Sequence, residues 1–272
     1  MTVRLQTFDT LRDACAAVAR EPSTRFLGGG TLLVRALNED VADFSTLVRC
    51  TDRALIDIRA SGSRVRIGAA VTMAQIVASS DLAFLHPAAR SVGGPAVRAQ
   101  ATVGGNLFAP PPYGDFTAVL LALDARVSVH SGYSPRDVPV DEFLRDRDSQ
   151  VRAVVAGVEL ARPRDTASLR FVKVSKVRPK GVSLLTIAAR LEDSAGRLSG
   201  VRVAYSNVGP VPMRAVAVER AIEGRRLERA TVDAAAAVAM EGCSPVTDAI
   251  ASAWYRREVL PVHLSRLLLG GA

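Results

Sequence analysis

The spacing of apolar and polar positions changes several times along the chain, and each change predicts an element. Leu11–Arg20 (LRDACAAVAR) is alanine-rich with apolar residues at helical intervals, the pattern of an amphipathic helix. Residues 46–49 (TLVR) and 55–58 (LIDI) are strand candidates, and Ser61-Gly62-Ser63 reads as a turn. Residues 64–69 (RVRIGA) alternate polar with apolar, as a half-buried strand does, and residues 71–77 begin a helix with Thr72 as its N-cap. Residues 126–130 alternate again. The first unit then closes around residues 151–160, after residues 138–143. Residues 161–164 (ARPR) are polar and broken by proline, which sets a domain boundary and divides the chain into 1–162 and 163–272. Beyond it, residues 169–174, 184–191 and 198–205 suit an antiparallel meander, ended by residues 208–212 (VGPVP). Residues 232–240 and 249–269 are helical by composition.

Two glycine-rich segments interrupt this pattern. In Phe26-Leu27-Gly28-Gly29-Gly30-Thr31 a strand-like pair runs into three glycines, followed by an apolar stretch of helical character. In Ala101-Thr102-Val103-Gly104-Gly105-Asn106 a β-compatible pair is expected to end in a sharp turn, with the two glycines at positive φ and Asn106 bonded to its own backbone. The stiff Pro110-Pro111-Pro112 connector leads to Asp115, at the head of a helical run through Leu123. Neither segment is a Walker A loop or a G-x-G-x-x-G fingerprint. Two such loops, each leaving a strand, are best explained by a diphosphate held between them on backbone N–H groups.

Composition narrows the partners. At 272 residues and 49% hydrophobic, the chain can bury ample core, yet no apolar run reaches the ~20 residues that a membrane helix needs. The net charge of +8 raises nucleic acid as a partner, but the basic residues are scattered among acids and no nucleic-acid-binding signature accompanies them. Cys15, Cys50 and Cys243 are isolated, so no zinc site or iron–sulfur cluster is expected from this chain alone, and a cytoplasmic, reducing setting suits them. His86, His130 and His263 are equally scattered. No metal site and no catalytic acid or base is expected. All three lysines, Lys173, Lys176 and Lys180, fall in one short stretch, either as gatekeepers of a strand edge or as a source of cationic contact to a ligand.

The two glycine segments, with residues 67–72 (IGAAVT), 121–125 (LALDA) and 252–257 (SAWYRR) in order, resemble the FAD-binding medium subunit of molybdenum hydroxylases. That family includes the flavin subunits of carbon monoxide dehydrogenase and bacterial xanthine dehydrogenases. The resemblance spans nearly the whole chain. It implies an α+β fold: a PCMH-type FAD-binding domain of two α/β subdomains, then a C-terminal antiparallel sheet with helices of the carbon monoxide dehydrogenase flavoprotein type. It implies FAD as cofactor, held by Leu27, Gly28, Gly29, Gly30, Thr31, Leu32 and Leu33 as one loop and by Ala101, Thr102, Gly104, Gly105 and Asn106 as the other. Asp115 would meet ribityl or ribose hydroxyls, and Lys173 would contact the cofactor. Val92 is either a neighbour of the flavin ring or an ordinary core valine, and Tyr205 is a further candidate for shielding the ring. Leu32 stands where many relatives place Asp or Asn, and the acidic residue common near Lys180 is missing.

The implied role is oxidoreductase electron transfer. Electrons would come from 2Fe–2S clusters of a small subunit, after substrate oxidation in a molybdopterin-bearing large subunit, and leave to an external acceptor. The implied assembly is a heterotrimer or a dimer of heterotrimers. Two other readings stay open: a free-standing flavin oxidoreductase of the same fold, and a scaffold subunit that has lost its flavin.

Overall fold

The computed structural model describes residues 3–131, 134–177 and 181–270. It opens with β1 (Arg4–Phe8), α1 (Leu11–Arg20), β2 (Thr24–Phe26), α2 (Leu33–Asn38) and β3 (Thr46–Cys50). The strands form a parallel sheet in the order β1-β3-β2. Thr10 caps α1 by accepting from the Asp13 amide, and the apolar stripe of α1 buries Ala14, Cys15 and Val18. These pack with Val48 of β3 and Val154, so α1 is wedged between the small sheet and the next one.

That second sheet has five antiparallel strands in the order β4-β5-β8-β6-β7. Its elements are β4 (Ile58–Ser61), β5 (Arg64–Gly68), α3 (Met73–Ala78), α4 (His86–Ser91), α5 (Pro95–Arg98), α6 (Val103–Leu107), α7 (Asp115–Ala122), β6 (Arg126–Ser131), β7 (Ser134–Pro139), α8 (Val140–Arg145) and β8 (Val154–Ala161). Thr72 caps α3 in a reciprocal capping box with Gln75, as its position predicts. Residues 55–58 are not a strand. Arg53–Ile56 form a 3-10 turn, started by the Asp52 carboxylate accepting from the Ala54 amide, and β4 begins only at Ile58. Local capping by an Asx side chain has overridden the β-propensity of Leu55 and Ile56.

The C-terminal part is an antiparallel sheet in the order β12-β11-β10-β9, built from β9 (Leu169–Val174), β10 (Leu185–Ser194), β11 (Arg197–Ser206) and β12 (Met213–Arg214). Residues 208–212 therefore do not end the sheet: Met213 and Arg214 return to pair with Tyr205 and Ala204. On one face Ile187, Ala189, Val203 and Tyr205 pack against α9 (Val216–Ile222), α10 (Arg229–Ala237) and α11 (Ala253–Leu268). On the other, Leu169, Ala188 and Ala204 join the core of the preceding domain.

Helix α7 carries that junction. Every one of its residues is buried, so it is a core helix rather than an amphipathic surface one, with Asp115 and Thr117 as its two polar members. It lies across β10 and β11 and is tied at both ends. Asp115 at its start pairs with Lys173, while Asp124 just past its end receives Arg190, Arg202 and Arg214 at 3.2, 2.8 and 3.4 Å. Arg256 explains the C-terminal motif. It is buried within α11 and donates to the carbonyls of Leu184, Val246 and Ala251 and to both oxygens of Asp248, stapling the preceding loop to the sheet. No described helix is long and apolar enough to cross a membrane, and no group of three metal-ligating side chains occurs among the described residues.

Candidate flavin site

The first glycine segment follows β2, where the Leu27 amide makes its last sheet bond, 2.8 Å to the Val48 carbonyl. From Gly28 through Leu33 the backbone N–H groups have no partner among the described residues. Gly30 sits at φ +74°, a left-handed turn that glycine adopts freely. It directs the chain into α2, where the Val34 amide bonds the Gly30 carbonyl at 2.8 Å. Thr31, Leu32 and Leu33 are half-buried there. A row of unpaired N–H groups is an anion-binding concavity, and it needs no side chain at the position of Leu32.

The second segment is built differently. Gly104 and Gly105 are not a positive-φ turn: they lie in the first turn of α6, capped by Thr102, whose Oγ1 accepts from the Gly105 amide at 3.1 Å. The Val103 and Gly104 amides donate to the carbonyls of Val71 and Ala69, and the Asn106 amide donates to the Thr102 carbonyl. Asn106 also donates through Nδ2 to that carbonyl at 2.9 Å, so it braces the turn as its side chain predicts. Ala101 is buried and accepts from the Met73 amide. The glycine at 104 is required by space: a Cβ there would lie 2.9 Å from Ala69 Cβ and 3.1 Å from its carbonyl oxygen.

The two segments meet. A Cβ on Gly28 would fall 2.9 Å from Thr102 Oγ1, and one on Gly29 only 1.5 Å from the Gln100 carbonyl oxygen. The backbones touch in a crease because the side chains are missing, and the segment on one side of that contact is the one with open amides. This cradle fits a diphosphate.

A second cluster gathers at the domain junction. Asp115 is 5% exposed; its Oδ2 lies 2.8 Å from Lys173 Nζ, and its Oδ1 accepts from Thr186 Oγ1 at 2.6 Å. Lys173 also donates to the Ser91 carbonyl at 3.0 Å, next to Val92, which ends α4 and packs on the N-terminal core. The junction is linked to the cradle through Thr117, whose hydroxyl donates to the Asn106 carbonyl at 2.9 Å. Thus Asp115, Lys173 and Val92 are brought together, and Thr102, Gly104, Gly105 and Asn106 stand one helix away. Thr186 is absent from the sequence-based set. Its signal is a single polar residue inside the apolar run of β10.

Tyr205 stands apart. Its ring is in the C-terminal core, facing α9–α11, and burial pushes its phenol well above the usual range, with Cys243 and Glu219 adding to the effect. It does not face the junction. Lys176 is exposed, and Lys180 lies outside the described residues. Burial holds Cys15 and Cys243 as thiols, each pushed up to about 11, so neither offers a reactive thiolate. A cavity of about 260 Å³ opens at the far end of α7, between Leu121, Val140 and the mixed charges of Arg64, Asp124, Asp141 and Arg214, away from both clusters.

Unpaired amides beside a close backbone contact, backed by a sheet-and-helix domain, suit a subunit that carries a dinucleotide. Residues 2–161 match the family described as the FAD binding domain in molybdopterin dehydrogenase, and residues 170–270 match the carbon monoxide dehydrogenase flavoprotein C-terminal domain. The chain belongs to the FAD-binding medium subunits of the molybdenum hydroxylase family. It is 27% identical to the glyceraldehyde dehydrogenase medium chain of Sulfolobus acidocaldarius, covering 93% of this chain and 92% of that one. It is 26% identical to the putative xanthine dehydrogenase FAD-binding subunit of Escherichia coli, covering 94% and 89%. The fold superposes on a carbon monoxide dehydrogenase chain from Hydrogenophaga pseudoflava with a TM-score of 0.89 at 24% identity, over 100% of this chain and 97% of that one. The cofactor is FAD, the activity class is oxidoreductase, and the relatives are subunits of multi-subunit enzymes.

Proposed function

We propose that this chain is the electron-exit subunit of a heteromeric molybdenum hydroxylase. It takes electrons from 2Fe–2S clusters of a small subunit, after substrate oxidation in a molybdopterin-bearing large subunit, and passes them to an external acceptor. The observation that carries this reading is the cradle: unpaired N–H groups from Gly28 to Leu33, pressed against Gln100 and Thr102 at glycines that admit no Cβ. FAD supplies the ability to accept electrons singly and release them in pairs.

This chain's residues bind and orient. The backbone of residues 27–33 holds the diphosphate. Ala101, Thr102, Gly104, Gly105 and Asn106 form the opposing wall, where Thr102 and Asn106 fix α6 and the two glycines let it approach. Lys173 and Asp115 place a fixed charge pair at the domain junction, and Val92 gives an apolar surface beside it. The assembly is a heterotrimer or a doubled heterotrimer, in the cytoplasm, where the free thiols Cys15, Cys50 and Cys243 stay reduced.

The test is the visible spectrum of the purified chain, alone and co-expressed with the neighbouring subunits. Flavin absorbance in the first, with iron–sulfur absorbance added only in the second, is the expected result. A colourless protein in both preparations sinks the reading and favours a scaffold subunit. Flavin turnover of a substrate by the chain alone favours a free-standing oxidoreductase.

A further inference from the structure

The cradle supplies N–H groups but no side-chain cation, and several cations on neighbouring segments already hold partners. Lys173 is paired with Asp115, and Arg98 donates to the carbonyls of Arg90 and Gly93. Arg25 is held by Asp43 and the carbonyls of Pro22 and Thr24, and buried Arg147 donates to the Ala109 carbonyl. Arg35 is different. It stands on α2, one turn past the first glycine segment, with its side chain 53% exposed. Its Nη1 donates to the Tyr113 hydroxyl at 2.5 Å, its guanidinium lies 5.9 Å from the centre of the Tyr113 ring, and its Nε donates to Glu39 at 2.7 Å. Nη2 has no partner among the described residues.

Tyr113 belongs to the connector that follows the second segment, two residues before Asp115. The Arg35–Tyr113 contact therefore joins the element leaving one wall of the cradle to the element leaving the other, across 78 positions of sequence. An exposed arginine is seldom held this way, because fixing a long side chain in water loses rotamer entropy and an exposed i,i+4 pair returns little. Here the guanidinium is fixed by an acid on one side and a phenol on the other, with one edge left free.

We propose that Arg35 and Tyr113 form a strap over the cradle that binds the adenosine diphosphate half of FAD. Arg35, though paired with Glu39, keeps the charged Nη2 edge for the phosphates, and Tyr113 holds it in place and offers a ring at the mouth. This rests on the FAD reading above. It assigns the recognition of FAD over shorter flavins to two residues outside both glycine motifs.

The experiment uses the full chain stripped of flavin and titrated with FAD, ADP and riboflavin, following flavin fluorescence and ADP displacement. Arg35→Gln is expected to weaken FAD and ADP about 10- to 100-fold, the loss of one charge-assisted contact, while riboflavin binding stays unchanged. The salt dependence of FAD binding should flatten in the same variant. Arg35→Lys should recover part of the loss, and Tyr113→Phe should show the same selectivity at smaller amplitude. Melting of the flavin-free variants should match the parent, since both residues are at least partly exposed. An equal loss for riboflavin and FAD, or undiminished FAD and ADP binding by Arg35→Gln, overturns the strap. A parent chain that binds riboflavin and ADP but never FAD overturns the cofactor reading, and the strap with it.

Discussion

The two glycine segments have nearly the same composition and opposite physics. At residues 28–30 the backbone is left open: φ is positive at Gly30, the amides are unpaired, and Gly29 lies against a carbonyl oxygen. At residues 104–105 the backbone is ordinary helix and every amide from Val103 to Asn106 is already bonded. Glycine is there because α6 must lie on Ala69. One segment leaves its amides open, and the other has used all of its own. A glycine pair in sequence thus marks close approach, and only the hydrogen-bond inventory says what is being approached.

Four substitutions break or sharpen this contrast. The largest effect belongs to Gly29→Val. Its Cβ would sit 1.5 Å from a backbone oxygen that cannot rotate away, so the crease must open. We expect complete loss of bound flavin and more than about 4 kcal/mol of stability, read by flavin content per chain and by urea unfolding. Retention of stoichiometric flavin would show that the segments need not touch.

Asp115→Asn comes next. It keeps the shape and removes the charge, leaving the Lys173 ammonium largely buried with neutral partners. Breaking such a pair costs about 3 kcal/mol. Because Thr117 on the same helix bonds the Asn106 carbonyl, the disturbance should reach the second segment but spare the open amides of the first. Hydrogen exchange should therefore speed at α6 and α7 and stay unchanged in β1–β3. Uniform acceleration would refute the division.

Much of this was legible beforehand. Alternation gave β5 and β6, helical spacing gave α1, and Thr72 announced α3 because its cap and capping box are local. The glycine segments were legible as places where backbones come close, and the resemblance that they help to carry put Asp115 and Lys173 in one expected set; the structure pairs those two with each other. What escaped was set by contacts distant in sequence. Residues 55–58 lost their strand to the Asp52 cap, Met213 and Arg214 joined a sheet from a proline-rich turn, and Gly104 proved helical because Ala69 lies beneath it. Tyr205 could be placed on a strand but not on a face, since one residue of register decides which core receives it. Thr186 shows the reverse case: its intrusion into an apolar strand is visible in sequence, but its partner Asp115 is 71 positions away.

Gly104→Ala should cost about 2 kcal/mol, the ordinary penalty for overpacking, because Ala69 must shift by a few tenths of an ångström. Flavin affinity should fall in proportion to the opening of the crease, and a compensating Ala69→Gly should recover both. Failure of that second change to rescue would mean that glycine at 104 serves the ligand directly, as its sequence first suggests.

Gly30→Ala is the smallest and the most discriminating. No backbone atom blocks the new methyl; the nearest atoms are Val34 Cγ2 at 3.1 Å and Leu27 Cδ1 at 3.3 Å, both on side chains that can adjust. The penalty is conformational, about 1 kcal/mol for an L-residue at φ +74°, and it falls on the segment whose amides are free. If those amides hold the diphosphate, this small loss should appear almost wholly as weaker FAD binding, with the flavin-free melting temperature barely moved. Gly104→Ala should give the opposite partition, with the flavin-free chain bearing most of the loss. Measuring both variants with and without FAD therefore sets the two roles of glycine against each other, and matching partitions in the two would remove the distinction.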